Sequence, residues 1–227
     1  MNGICRVLVL FFALCSSAAA GVGSLTTAES IGGLKDALTQ SSLAAVSKLG
    51  VVNGFLDNPK VKIELPGPLA KAGKLMRMLG MGRQTDELVA TMNHAAEQAV
   101  QEAKPIFVNA IKKMSINDAK GILTGGDDAA TQYFKRTTTP ALTAKFLPIV
   151  RQKTDGLKLA KQYDDYAATA ASLGIVDKQS SSVEGYVTQK ALDGLFVMMA
   201  DEERALRRNP LGASSNLLKK VFGAIQQ

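Results

Sequence analysis

The 227-residue chain has no tryptophan, one histidine and two cysteines, and aromatic residues make up 5% of it. Each shortage excludes something. Sheets draw on aromatic and β-branched residues, so a chain poor in aromatics and rich in Ala and Leu tilts toward helices. Any Ser-His-Asp arrangement has to use His94, which stands between Asn93 and Ala95 beside an apolar helical stripe, with no metal-ligand pattern around it. That is the setting of an ordinary helix residue, and it supports neither a catalytic role nor zinc. No apolar run approaches the roughly 18 to 20 residues that a membrane-spanning helix needs.

The two cysteines, Cys5 and Cys15, lie in an opening segment with the layout of a secretory signal peptide. MNGICRVLVLFFALCSSAAAG carries one positive charge at Arg6, a short apolar core from Val7 to Leu14, and small residues ending at Ala18-Ala19-Ala20. Cleavage is expected after Ala20, followed by a flexible stretch over 21–32 and a single helical domain over 33–227. The expected location is the periplasm. The rival, a lipid anchor on Cys15, asks for a small residue just before the cysteine, where Leu14 stands. Cleavage removes both cysteines and with them any disulfide or thiol chemistry.

What remains is 46% hydrophobic and 21% charged over the whole chain, enough apolar material for a sizeable core. The formal charge is +7, of which Arg6 contributes one unit. In an exported chain such a surplus suits anionic lipid or polymer. The basic pairs Lys112-Lys113, Lys135-Arg136, Arg207-Arg208 and Lys219-Lys220 are scattered and carry no interleaved aromatics, which argues against nucleic acid. The partners expected are an envelope protein, a small ligand or an anionic lipid surface.

Apolar spacing predicts a helix over 29–49, ended by Gly50. Turn residues then surround an alternating VKIEL, which predicts an extended arm near residues 54–68 laid over the helices. From Thr85 to Met114, Leu88, Met92, Ala95, Ala99, Ala103, Ile106, Ala110 and Met114 step by three or four, with a kink expected between Gln101 and Lys104 ahead of Pro105. Shorter helices are predicted over 116–123 with Ser115 as cap, over 128–137, and over 140–153 starting at Pro140. Further helices follow over 155–173 and 183–208, and a last amphipathic piece, SSNLLKKVFGAI, has the form of a helix that docks on its own bundle or lies on a membrane surface. The expectation is an all-α, irregular bundle of about seven to nine helices.

One stretch, GILTGGDDAATQYFKRT, invites a chemical reading. Gly121 and Gly126 have the spacing of a phosphate-binding loop, but Asp127 stands where the lysine belongs and would repel phosphate. Adjacent Asp127 and Asp128, followed by two alanines, also lack the alternating oxygen ligands of a calcium loop. The simpler reading is a corner, with a glycine ending one helix and an aspartate capping the next. Farther on, Asp193 lies in an almost wholly apolar stretch and needs a partner such as Lys190, Lys135 or Arg136. It reads as a structural ion pair, with a polar pocket around Asp193, Arg136 and Tyr133 as the alternative. The ligand-binding candidates are therefore Asp127, Asp128, Tyr133, Arg136, Lys190 and Asp193; no catalytic residue, cofactor or metal is assigned. The trio Asp201-Glu202-Glu203 reads as a solvated helical turn supported by Arg204.

FLDNPKVKIELPGPL, AKPIFVNAIKKMSINDAKGILTGGDDAATQYFKRTT, AKFLPIV, YVTQKALDGLF and LLKKVFG together resemble the bacterial domain of unknown function 4197 family, from about Gly33 to Ala224. The resemblance implies an exported or envelope-associated, mostly helical protein, and implies no activity. The function expected is that of a non-enzymatic binding or structural module of the envelope. The alternative is an enzyme of undefined class built on the polar pocket.

Overall fold

The computed structural model describes residues 27–65, 82–156 and 182–209, together with residues 78, 160, 161 and 164. Within them the protein is all-helical, without strands: α1 Thr27–Leu49, α2 Gly82–Val100, α3 Ala103–Lys113, α4 Ile116–Leu123, α5 Ala129–Thr154 and α6 Val183–Arg208. These six are fewer than the seven to nine expected. The segment before residue 27, the final amphipathic piece and most of 155–173 lie outside the described residues; in that last stretch Ala160, Lys161 and Asp164 are helical.

Part of the shortfall has a physical cause. The helices expected over 128–137 and 140–153 are one, with Pro140 and Pro148 inside it. A proline removes the N–H that would serve the carbonyl four residues back. Here Pro140 and Arg136 are both exposed, as are Pro148 and Ala144, so the orphaned carbonyls lie on the solvent side. Ahead of Pro140 the hydroxyls of Thr137, Thr138 and Thr139 donate to the carbonyls of Tyr133, Phe134 and Lys135, binding each side chain to its own helix.

The predicted break before Pro105 is present. Gln101 and Glu102 form a turn between α2 and α3, and Pro105 falls in the first turn of α3, where a missing N–H leaves no partner wanting. The turn also shifts the buried face. Phe107 and Ile111 enter the core, while Ile106 and Ala110, which continued the α2 stripe in sequence, are only half-buried. Gln101 Nε2 donates to the Gly50 carbonyl at 2.7 Å, and a Cβ on Gly50 would come within 2.9 Å of the Gln101 side chain. The close of α1 thus packs on the α2–α3 junction.

α5 packs most extensively on α6, and α2 lies against both. Ala95, Ala96 and Ala99 are fully buried on α2, where small side chains let the neighbours approach. Phe107 meets Phe134 edge to face, with ring centroids 5.1 Å apart. The extended arm expected near residues 54–68 is present only over 62–65 of the described residues: 52–57 and 59–61 form turns, with Asp57 N–H donating to the Asn53 carbonyl and Lys62 N–H to the Asn58 carbonyl. Along the arm Val61 and Ile63 are buried and Lys62 and Glu64 exposed, the alternation read from VKIEL. It crosses α6 at Gly194, where a Cβ would meet the Phe55 ring at 2.8 Å and Val61 Cβ at 3.1 Å.

Three buried polar side chains fasten these parts. Asn93, fully buried on α2, accepts from Ile63 N–H at 2.8 Å and donates to the Ile63 carbonyl at 2.9 Å, doing for the arm what a neighbouring strand would do. One turn later Glu97 accepts from the N–H groups of Phe55 and Leu56, and its second oxygen takes the His94 ring at 2.8 Å. Glu203 on α6 holds the start of α5: it accepts from Ala130 N–H at 2.9 Å, from Thr131 N–H at 2.8 Å and from the Thr131 hydroxyl at 2.8 Å. Arg207, one turn on, binds Glu203 through Nε and Nη2 and donates to the Ile122 carbonyl.

Two expectations change as a result. The acidic trio is not wholly solvated, because Glu203 is buried while Asp201 and Glu202 pair at the surface with Lys60 and Lys48. Arg204 does pair with Asp201, as the spacing predicted. Nor does an aspartate cap α5 with its side chain. Asp128 occupies the N-cap position but makes no capping hydrogen bond, its carboxylate taking Gln132 instead, and the α5 donors go to Glu203.

Candidate functional site

The concave polar surface of interest lies between α4 and α5. Its α4 wall is set by a capping box within SIND, where the sequence had marked only the Ser115 cap. Ser115 Oγ accepts from Asp118 N–H at 3.1 Å, and Asp118 Oδ2 accepts from Ser115 N–H at 3.1 Å and from the Ser115 hydroxyl at 2.6 Å. This fixes Asp118 on the first turn and leaves its Oδ1 toward α5. The α5 wall presents Tyr133 and Arg136, three apart and so on one side of the helix.

Between them lies an open groove of about 280 Å³, lined by Asn117, Asp118, Gly121 and Ile122 from α4 and Ala129, Tyr133 and Arg136 from α5. Gly121 lines it on the α4 side, and a Cβ there would meet no atom within 4 Å, so a side chain at this position would extend into open space. The Arg136 side chain is 66% exposed, which leaves its guanidinium available to a ligand. Its carbon stands 5.7 Å from the centre of the Tyr133 ring and its Nη2 is 3.9 Å from Asp118 Oδ1, near enough for charge attraction but beyond a hydrogen bond.

The protonation states follow from these neighbours. Hydrogen bonds from the Ser115 hydroxyl and N–H hold the Asp118 carboxyl below the usual aspartate value, and the Arg136 charge adds to the effect. Burial pushes the Tyr133 phenol up, the Asp118 charge pushes it further, and Arg136 opposes both. The phenol donates its proton to the Ala110 carbonyl at 3.0 Å. Around neutral pH the groove therefore holds a carboxylate, a guanidinium and a neutral phenol.

The six candidate residues fall in three places. Tyr133 and Arg136 share the groove. Asp127 and Asp128 are at the α4–α5 corner, Asp127 exposed and Asp128 engaged with Gln132. Asp193 and Lys190 are on α6, and Asp193 does not line the groove. Asp193 is half-buried and accepts from Gln189 Nε2 at 3.0 Å, so its partner is an amide on its own helix. Lys190 makes a different contact, with its ammonium 5.8 Å from the centre of the Tyr186 ring. His94, held by Glu97 on α2, is remote in sequence and absent from the lining.

Asp118, Asn117 and Gly121 were missed by sequence reasoning as ligand-facing residues. The Ser-x-x-Asp spacing could have flagged Asp118 as an anchored carboxylate. Nothing in the sequence places it opposite Arg136. Among the described residues no group of three or more His, Cys, Asp or Glu could hold a metal ion, and no helix is long and apolar enough to cross a membrane.

A family model described as "Protein of unknown function (DUF4197)" matches residues 24–223. Comparison with curated proteins and with solved structures finds no match.

Proposed function

The chain belongs to that family of unknown function, and from this premise we propose that it is an exported, non-enzymatic binding module whose ligand site is the α4–α5 groove. The observation that carries the reading is an exposed guanidinium, set over a tyrosine ring, in an open groove with a glycine on its wall. Such a group meets an anionic or dipolar ligand without first breaking a hydrogen bond.

Binding is favoured over catalysis by the proton inventory. General acid–base work near neutral pH wants a group whose pKa lies close to it. The groove offers a carboxyl shifted down and a phenol shifted up, each away from neutrality. The polar pocket of Asp193, Arg136 and Tyr133 that an enzyme would have used lacks support, because Asp193 is bound to Gln189 and does not line the groove. Export rests on the opening segment, with its apolar core and small residues up to Ala20.

Two measurements test the two halves. Native mass spectrometry of the protein purified gently from its own cells is expected to show a retained small molecule, lost in Gly121→Leu, which adds an isobutyl group to the groove lining. A molecule retained equally by that variant sinks the site. For export, N-terminal sequencing of the protein from the periplasmic fraction is expected to begin at Gly21; an intact leader on protein confined to the cytosol sinks that half.

A further inference from the structure

The groove's ligand class can be narrowed, on the reading just given. Asp118 commits Oδ2 to Ser115 and leaves Oδ1 nearest Arg136. Arg136 makes no hydrogen bond among the described residues, and its nearest charged atom, Asp118 Oδ1, is 3.9 Å away. Two opposite charges thus face one small space, each with unused hydrogen-bonding capacity. A simple anion there would gain Arg136 and meet the Asp118 charge, and a simple cation would meet the reverse. A molecule with an ammonium and a carboxylate on the same carbon answers both.

We infer that the groove binds a small zwitterion of the free α-amino acid class, its carboxylate on Arg136 and its ammonium on Asp118 Oδ1. The groove, about 280 Å³, has room for a free amino acid, and beyond the charged pair it is lined by Gly121, Ile122 and Ala129, a setting that accepts small side chains such as those of alanine and serine. The Tyr133 ring, 5.7 Å from the guanidinium carbon, favours placement of the charge beside the groove.

Isothermal titration calorimetry of the mature chain with alanine, N-acetylalanine and ethylamine tests this directly. Alanine is expected to bind saturably, and the two singly charged compounds at least tenfold more weakly. Arg136→Gln and Asp118→Asn should each weaken alanine at least tenfold; the asparagine keeps an oxygen for the Ser115 cap, and a circular-dichroism melt checks the fold. Gly121→Leu should abolish binding. Equal affinity for alanine and N-acetylalanine, still abolished by Gly121→Leu, overturns the zwitterion inference and leaves the groove reading standing. Alanine binding that survives Gly121→Leu overturns both. Absence of heat with alanine and serine at millimolar concentration overturns the inference alone when native mass spectrometry still shows another molecule that Gly121→Leu removes.

Discussion

Replacing Glu203 by alanine removes the acceptor for two backbone N–H groups and a hydroxyl at the start of α5, and takes the carboxylate away from Arg207, which keeps its bond to the Ile122 carbonyl. The side chains of the pair are only 7% and 11% exposed, so water cannot readily take over. Breaking a buried ion pair by deleting one partner costs about 3–5 kcal/mol, and an unsatisfied buried donor about 1–3 kcal/mol. The terms overlap, because one carboxylate serves all these donors, and about 4 kcal/mol is the reasoned total. At roughly 2–4 °C per kcal/mol for a chain of this size, the melting temperature should fall by about 8–16 °C. Asp128→Ala is the control. An ordinary N-cap aspartate is worth about 1 kcal/mol, yet Asp128 makes no capping bond, so its loss should stay within about 0.5 kcal/mol. Thermal and urea unfolding by circular dichroism read both variants. A loss under about 1 kcal/mol for Glu203→Ala, or a larger one for Asp128→Ala, would refute the assignment of the α5 cap.

Asn93→Leu should cost about 2–4 kcal/mol, since it strands the N–H and carbonyl of Ile63, and hydrogen exchange at Ile63 should speed up before the helices are affected. Unchanged protection there counts against the arm being held by Asn93. Gly194→Ala is expected to destabilise by about 1–3 kcal/mol, because the added methyl would lie 2.8 Å from the Phe55 ring; a neutral result would show that the arm moves aside freely. Asp118 has a folded pKa below its ordinary 3.8, so its contribution to stability is full above that value and is lost as the pH falls through the folded one. Ser115→Ala should move the Asp118 carboxyl back toward 3.8 in a carboxyl NMR titration and flatten the acid side of the stability profile; no movement refutes the cap as cause.

Much of the fold was legible because it is local. The α2 stripe, the break ahead of Pro105, the Ser115 cap, the alternation of the arm and the end of α6 at Arg208 each rest on residues a few positions apart. Proline was over-read as punctuation, since its effect depends on whether the freed carbonyl faces water, and in α5 it does. Glu203 was legible in principle: Val187, Ala191, Leu195 and Met199 step by four along the buried face of α6, and the next two steps are Glu203 and Arg207. Sequence reasoning let the acidic neighbours of Glu203 outweigh that spacing.

The sequence by itself determined the helical class, the family and most helix boundaries, because propensity, capping and apolar period act within a turn or two of chain. Which charges meet was decided only by the tertiary structure. Asp118 and Arg136 face one groove, Asp193 turns to Gln189, and Glu203 reaches across 72 and 73 residues to α5. The physical reason is that a carboxylate accepts any donor that packing delivers, and its residue type does not specify which.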